Sequence, residues 1–187
     1  REENRHFCDI ATFLAGVGLR VPAIYHHDPE EGLIWVEDLG ETDLWSHRHA
    51  PWEARRALYR ATLEQAVRLH PRGHLSEPLP PRLQPGFDAD LYLWEQNYFF
   101  ENCVGRHFGL PADQLESVRR EVRAVEAVAT RLAGRPRVLI HRDFQSQNVL
   151  IQENEPGVVA LIDFQGLRFG LAEYDIASLL YDPHVPL

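Results

Sequence analysis

VLIHRDFQSQNVLIQENEPGVVALIDFQGLRFG, residues 138–170, is the stretch whose reading decides the fold. Three short β-type runs, residues 138–141, 149–152 and 158–162, carry polar residues at their ends. His141, Arg142, Asp143 and Asn148 follow the first run, and Asp163 ends the last. Glu155-Pro156-Gly157 predicts a turn between the second and third runs. No basic residue lies between Asp143 and Asp163, so the sequence offers neither carboxylate an ion-pair partner within that interval. Two carboxylates brought close together repel unless a cation sits between them.

Alone, each of these residues has an ordinary explanation. An Asp after a strand is a turn residue or a helix cap, an Asn is a turn former, and Asp163 closes a strand. Together they carry chemistry. Asp143 and Asn148 have the D-x-x-x-x-N spacing of a phosphoryl-transfer loop, and His141-Arg142-Asp143 completes H-R-D. Asp163-Phe164 ends a strand where a metal-binding Asp of the D-F-G type belongs. An acceptor hydroxyl needs a carboxylate within hydrogen-bond reach, which makes Asp143 the candidate catalytic residue. Magnesium is hard and takes few protein ligands, often one carboxylate and one amide oxygen beside phosphate oxygens; Asp163 and Asn148 supply those two. His141 is expected to brace the loop by hydrogen bonding rather than to do acid–base work. The chain has no G-x-G-x-x-G, Walker A, H-E-x-x-H or G-x-S-x-G motif.

The 187 residues are 44% hydrophobic and 25% charged, as in a globular protein of one domain or of one large lobe and part of another. A net charge of −9 disfavours non-specific nucleic-acid binding. No apolar run reaches the roughly 20 residues that span a bilayer. Cys8 and Cys103 form no C-x-x-C and read as reduced thiols of a cytoplasmic protein. All 19 basic residues are arginine and there is no methionine. A chain that opens inside a helix-like segment and stops soon after another is expected to continue at both ends.

Along the chain, residues 3–17 read as a helix, with Phe7, Ile10, Leu14 and Val17 in phase. Residues 21–26 and 33–37 read as strands joined through Asp28, Pro29 and Gly32. The adjacent His26 and His27 suit a turn better than a metal site. Asp38-Leu39-Gly40 is a candidate hinge. Residues 52–70 read as a helix and 71–86 as a loop. Residues 87–103 are aromatic-rich and helical; Tyr92, Trp94, Tyr98, Phe99 and Phe100 are read as core, with a sugar pocket as the other possibility. The apolar stripe Leu115, Val118, Val122, Val125, Ala129, Leu132 predicts one sustained helix. Residues 173–181 form a last helix.

IHRDFQSQNVLI followed by ALIDFQGLRFGLAEYDIASLL resembles the aminoglycoside-phosphotransferase and choline-kinase-like family. Within it, IDFQ followed by YD and SLL is most similar to the bacterial kinases acting on the anomeric hydroxyl of N-acetylmuramate and N-acetylglucosamine. Glu3-Asn4 before a helix, GLRVPAIY and VEDLG extend the resemblance over most of the chain. It implies that Asp143 is the catalytic base or hydroxyl-orienting carboxylate, and that Asn148 and Asp163 bind magnesium. It implies that Asp175 braces the catalytic loop from a helix, that the Glu37, Asp38 and Leu39 backbone holds adenine, and that Glu3 pairs with an ATP-binding lysine. That lysine and the phosphate-covering loop would precede Arg1. Gln165 replaces the glycine of D-F-G, as in the sugar-kinase subgroup.

The expected fold is α+β and protein-kinase-like with two lobes. Residues 1–39 would be the remnant of an incomplete N-lobe, and 40–187 a mostly helical C-lobe. The expected function is ATP- and Mg2+-dependent phosphorylation of a small-molecule hydroxyl, an amino sugar first. An aminoglycoside phosphotransferase and a non-catalytic, pseudokinase-like binding module are the alternatives. The expected partner is the small-molecule substrate, with no nucleic acid and no membrane. The chain by itself is expected to be inactive.

Overall fold

The computed structural model describes residues 4–74, 83–121, 124–152, 154–155, 157–183 and 185. In chain order its helices and strands are α1 (Asn4–Gly16), β1 (Ile24–Asp28), β2 (Leu33–Val36), α2 (Trp52–Leu69), α3 (Ala89–Tyr98), α4 (Ala112–Glu121), α5 (Ala124–Ala133), β3 (Val138–Ile140), β4 (Val149–Ile151), β5 (Val159–Leu161), β6 (Arg168–Gly170) and α6 (Ala172–Leu180). They fall into two compact units, residues 1–85 with 137–187, and residues 86–136.

In the first unit α1 buries the in-phase Ile10 and Leu14 against Leu69, Leu139, Leu161 and Phe164. Apolar burial of this kind contributes roughly 25 cal/mol per Å². Gly18 ends the helix: it takes the left-handed conformation at φ +84°, and the Leu19 N–H reaches back to the Leu14 carbonyl at 3.0 Å. The strands form three antiparallel ribbons, β1–β2, β3–β6 and β4–β5. Segments from the N-terminal half flank the β4–β5 ribbon. Leu44 N–H bonds the Val149 carbonyl, Ile151 N–H the Thr42 carbonyl and Leu161 N–H the Arg20 carbonyl, each at 2.8 Å.

β1 starts at Ile24 rather than Val21, after Arg20 has given its carbonyl to Leu161 of β5. His26 pairs with Trp35 in the strand as expected, and His27, expected in the turn, pairs with Ile34, so the strand runs on to Asp28. The Asp28 carboxylate accepts the N–H groups of Glu30 and Glu31 at 3.0 Å each, so the turn begins after the histidines. β6 was not foreseen: β3, β4 and β5 are equally short but are apolar and rich in Val and Ile, whereas Arg168-Phe169-Gly170 has no β-branched residue and ends on glycine. The loop expected over residues 71–86 opens with a short 3-10 turn, His70–His74, and residues 75–82 of it lie outside the described residues.

In the second unit the Asp88 carboxylate caps α3 by accepting the Leu91 N–H at 2.8 Å. The helix does not simply continue to Cys103. Phe99–His107 winds as a π-helix, with Phe108 N–H on the Cys103 carbonyl at 3.0 Å. Tyr92 and Phe100 are buried as expected, but Trp94, Tyr98 and Phe99 are 55%, 56% and 53% exposed, which corrects their reading as core. The stripe read as one helix is described as two, α4 and α5, with residues 122–123 outside the described residues. Among the described residues no helix is long and apolar enough to cross a membrane.

Candidate active site

Between β3 and β4 the chain turns through residues 141–148. Arg142 (φ +82°) and Asp163 (φ +57°) are the non-glycine residues with positive φ among those described. Such conformations cost about 1–3 kcal/mol each and persist only where the surroundings hold them. A buried carboxylate on α6 does so here. Asp175 accepts the His141 N–H on Oδ2 and the Arg142 N–H on Oδ1, both at 2.9 Å, and His70 Nε2 lies 3.1 Å from Oδ2. Just past α6, the buried Asp182 carboxylate accepts the Ser146 N–H at 2.8 Å and the Ser146 hydroxyl at 2.5 Å.

The segments bearing Asp143, Asn148 and Asp163 lie against one another. Asn148 Nδ2 donates to the Asp143 carbonyl at 2.8 Å. That commits the amide nitrogen and leaves Oδ1 as the atom that can ligate a cation. The Ile162 N–H donates to the Asn148 carbonyl at 3.1 Å, setting the residue before Asp163 beside Asn148. On the far side of the Asp163 turn, a Cβ on Gly166 would stand 3.4 Å from Asp143 Oδ2. α1 packs on the same turn through Phe7, whose ring stacks on Phe164 at 5.0 Å.

Asp143 does have a cationic neighbour, one residue before the interval in which the sequence offers none. Arg142 Nη1 donates to its Oδ1 at 2.9 Å and its Oδ2 at 2.7 Å. Asp163 is exposed and has no hydrogen-bond or ion-pair partner among the described residues. His141 is fully buried, its ring tilted against Phe144 at 5.8 Å. Burial lowers its pKa, outweighing Asp175, Asp143, Asp163 and the Ile162 main chain, which pull upward. Its main-chain N–H, donated to Asp175, ties the start of the loop to α6.

The Asn148 amide oxygen and the Asp163 carboxylate are hard-oxygen donors carried on segments that adjoin through the Ile162 N–H bond to the Asn148 carbonyl. No group of three or more His, Cys, Asp or Glu side chains among the described residues could hold a metal. The pair therefore fits a cation that takes its other ligands from phosphate and water, as magnesium does, and not one that needs an all-protein cage.

At the candidate hinge the Glu37 carboxylate is engaged by Arg20, with Nη1 to Oε2 at 2.7 Å and Nη2 to Oε1 at 2.6 Å. Asp38 Oδ1 accepts the Gly40 N–H at 2.9 Å, and Gln152 Nε2 reaches the Leu39 carbonyl at 3.3 Å. The Glu37 carbonyl and the Leu39 N–H make no hydrogen bond to a described residue, leaving an acceptor and a donor two residues apart, as a nucleobase edge requires. Leu39, Leu150, Ala160 and Ile162 form a small apolar cluster beside them. A polar cavity of about 300 Å³, lined among others by Arg20, Glu37, Asp38, Glu41 and Gln152, also borders the hinge. Glu3 lies outside the described residues.

The Arg20 guanidinium, helped by the Ala23 N–H, brings the Glu37 pKa down from 4.5 to about 2. The unfolded group titrates near 4.5, so the pair stabilises the fold above that pH and loses its contribution as the pH falls towards 2. Glu37→Gln is expected to cost about 1–2 kcal/mol at pH 7, since charge-assisted bonds are worth that much when partly buried. Thermal melts should show the deficit shrinking below pH 4. A deficit unchanged at pH 3 would assign it to packing instead.

Sequence reasoning missed His70 and Asp182. Both sit far along the chain from the loop they serve, and neither belongs to a local motif. The signal available for Asp182 was its place in Tyr181-Asp182-Pro183, directly after a helix, which reads as an ordinary stop.

The sequence profile of the phosphotransferase enzyme family matches residues 1–186. The N-acetylmuramate/N-acetylglucosamine kinase of Pseudomonas aeruginosa is 29% identical over 185 residues, 99% of this chain and 51% of that protein. Its namesake from Neisseria meningitidis serogroup B is 28% identical over 172 residues, 89% of this chain and 48% of that protein. The chain thus spans about half the length of the curated relatives it matches. Among solved structures, an aminoglycoside-3'-phosphotransferase of type VIII superposes with a TM-score of 0.57 at 20% identity, over 99% of this chain and 68% of its own. A choline kinase from Streptococcus pneumoniae does so at 0.58 and 21%, over 95% and 55%. At these identities the likeness speaks to the fold alone, which is α+β and protein-kinase-like.

Proposed function

Because the chain belongs to the phosphotransferase enzyme family, we propose that it forms the catalytic part of an ATP- and magnesium-dependent kinase acting on a hydroxyl of an amino sugar. The observation that carries this reading is the Asn148 amide, pinned by the Asp143 carbonyl with its oxygen left over, in a loop that lies against the Asp163 turn. The amino sugar is the substrate class in the names of the relatives just described. We place the lobe boundary at Leu39, with residues 1–39 as the N-lobe remnant, and the reaction in the cytoplasm, where ATP is available.

Asp143 orients the acceptor hydroxyl and takes up its proton as the oxygen attacks the γ-phosphorus of ATP, whose bond to the bridging oxygen breaks and releases ADP. Asn148 Oδ1 and the Asp163 carboxylate hold magnesium, which when bound neutralises charge on the phosphate oxygens. The Glu37 carbonyl and Leu39 N–H receive the nucleobase edge over the Leu39–Leu150–Ile162 cluster. Asp175 keeps Arg142 in its strained conformation, and Arg142 in turn keeps the Asp143 carboxylate from rotating.

Full-length protein with Mg-ATP should release ADP on addition of N-acetylmuramate or N-acetylglucosamine, with gentamicin and choline much weaker at equal concentration. Faster turnover of an aminoglycoside would move the reading to antibiotic phosphorylation. Binding of nucleotide without turnover of any of the four would leave a binding module.

A further inference from the structure

Two buried carboxylates hold the loop between β3 and β4, and they hold opposite ends of it. Asp175 takes the His141 and Arg142 N–H groups, beside Asp143. Asp182, 4% exposed, takes both the N–H and the hydroxyl of the fully buried Ser146 on one oxygen. Ser146 opens the short 3-10 turn Ser146–Asn148. Asn148 is held besides by its N–H on the Gln145 carbonyl at 3.0 Å, its amide on the Asp143 carbonyl at 2.8 Å and its carbonyl on the Ile162 N–H at 3.1 Å. Ser146 and Asn148 share that single turn, so a shift of Ser146 distorts the turn that presents the Asn148 amide, whereas the loop beside Asp143 keeps its own anchor at Asp175.

We propose that Asp182 is a positioning residue for the metal-binding end of the site: by fixing Ser146 it sets where the Asn148 amide oxygen stands, and so tunes the affinity for magnesium with nucleotide. The inference rests on the kinase reading of Asn148. It assigns the two anchors different work. Asp175 serves the hydroxyl-orienting carboxylate, and Asp182 serves the cation. Residues that orient a metal ligand from behind commonly change metal affinity or activity about 10- to 100-fold when removed.

The test uses full-length protein and the variants Ser146→Ala, Asp182→Ala and the double variant. Calorimetric titration of magnesium in the presence of a non-hydrolysable ATP analogue gives the cation affinity directly. Ser146→Ala keeps the main-chain bond, loses only the hydroxyl and should weaken magnesium about tenfold; Asp182→Ala should weaken it up to about a hundredfold. The double variant should be no weaker than Asp182→Ala, since the hydroxyl acts through that carboxylate. Turnover of both single variants should recover in excess magnesium, which a general loosening of the fold would not allow. Should Asp182→Ala fail to fold, Ser146→Ala decides. Wild-type magnesium affinity in a folded Ser146→Ala variant, or lost turnover that excess magnesium does not restore, overturns the proposal alone. Absence of magnesium-dependent nucleotide binding in the wild type overturns the kinase reading and this inference with it.

Discussion

Replacing Asp143 by Asn in the full-length protein is expected to lower kcat about a hundred- to ten-thousand-fold, the usual contribution of a positioned base. The substitution keeps the size of the side chain and removes the charge that accepts the hydroxyl proton. It also weakens the hold of Arg142 Nη1, which now has both carboxylate oxygens within 2.9 Å and would keep a single neutral one. Affinity for magnesium with nucleotide should barely change, because Asn148 is pinned by the main-chain carbonyl of Asp143, which the substitution leaves in place. Asp163→Asn should behave differently, since it takes a charged ligand from the cation and should weaken nucleotide binding as well as turnover. Steady-state kinetics with separate titration of Mg-ATP and acceptor distinguish the two. Near-normal kcat for Asp143→Asn on its best acceptor would remove Asp143 from the role of base.

How much of this site could be read beforehand follows from the range of its interactions. Asp143, Asn148 and Asp163 are legible because their order and spacing are local and the chemistry demands those side chains. The helices α1 and α2 are legible from their apolar periodicity. What fixes the loop is not legible in the same way. Asp182 meets Ser146, and His70 meets Asp175, across long stretches of chain, and no spacing rule links such partners. Asp175 could be named only through the family resemblance. Arg142 was overlooked as a partner of Asp143 because neighbouring residues on an extended chain point apart; its positive φ brings the two side chains together. The π-helical winding after Tyr98 leaves no mark on a pattern judged by a 3.6-residue period. The end of β1 was placed at His26, two residues early, because the turn is set by the Asp28 carboxylate, which accepts the N–H groups of Glu30 and Glu31.

The second large effect is one of stability. Asp175 is fully buried, and its two oxygens receive the His141 and Arg142 N–H groups and face His70 Nε2. Asp175→Ala would leave two main-chain donors without an acceptor and remove what holds Arg142 in a conformation that strains any side chain. Removing one partner from a buried charged network costs about 3–5 kcal/mol, against a total stability of roughly 5–15 kcal/mol for a domain. Asp175→Asn should cost less, because one oxygen still accepts while the amide nitrogen faces a donor. Acid should aggravate the loss. Burial already holds the His141 pKa below its ordinary 6.5, and Asp175 is the foremost group opposing that. As the pH falls below about 6.5, the unfolded chain takes up a proton that the folded His141 refuses, so stability declines. Without Asp175 the folded imidazole refuses it down to a lower pH, so the decline should continue further into acid. Urea denaturation of both variants at pH 7.5 and pH 5.5 measures all of this. A loss below about 1 kcal/mol for Asp175→Ala at pH 7.5 would mean that the strained loop is held by something other than this carboxylate.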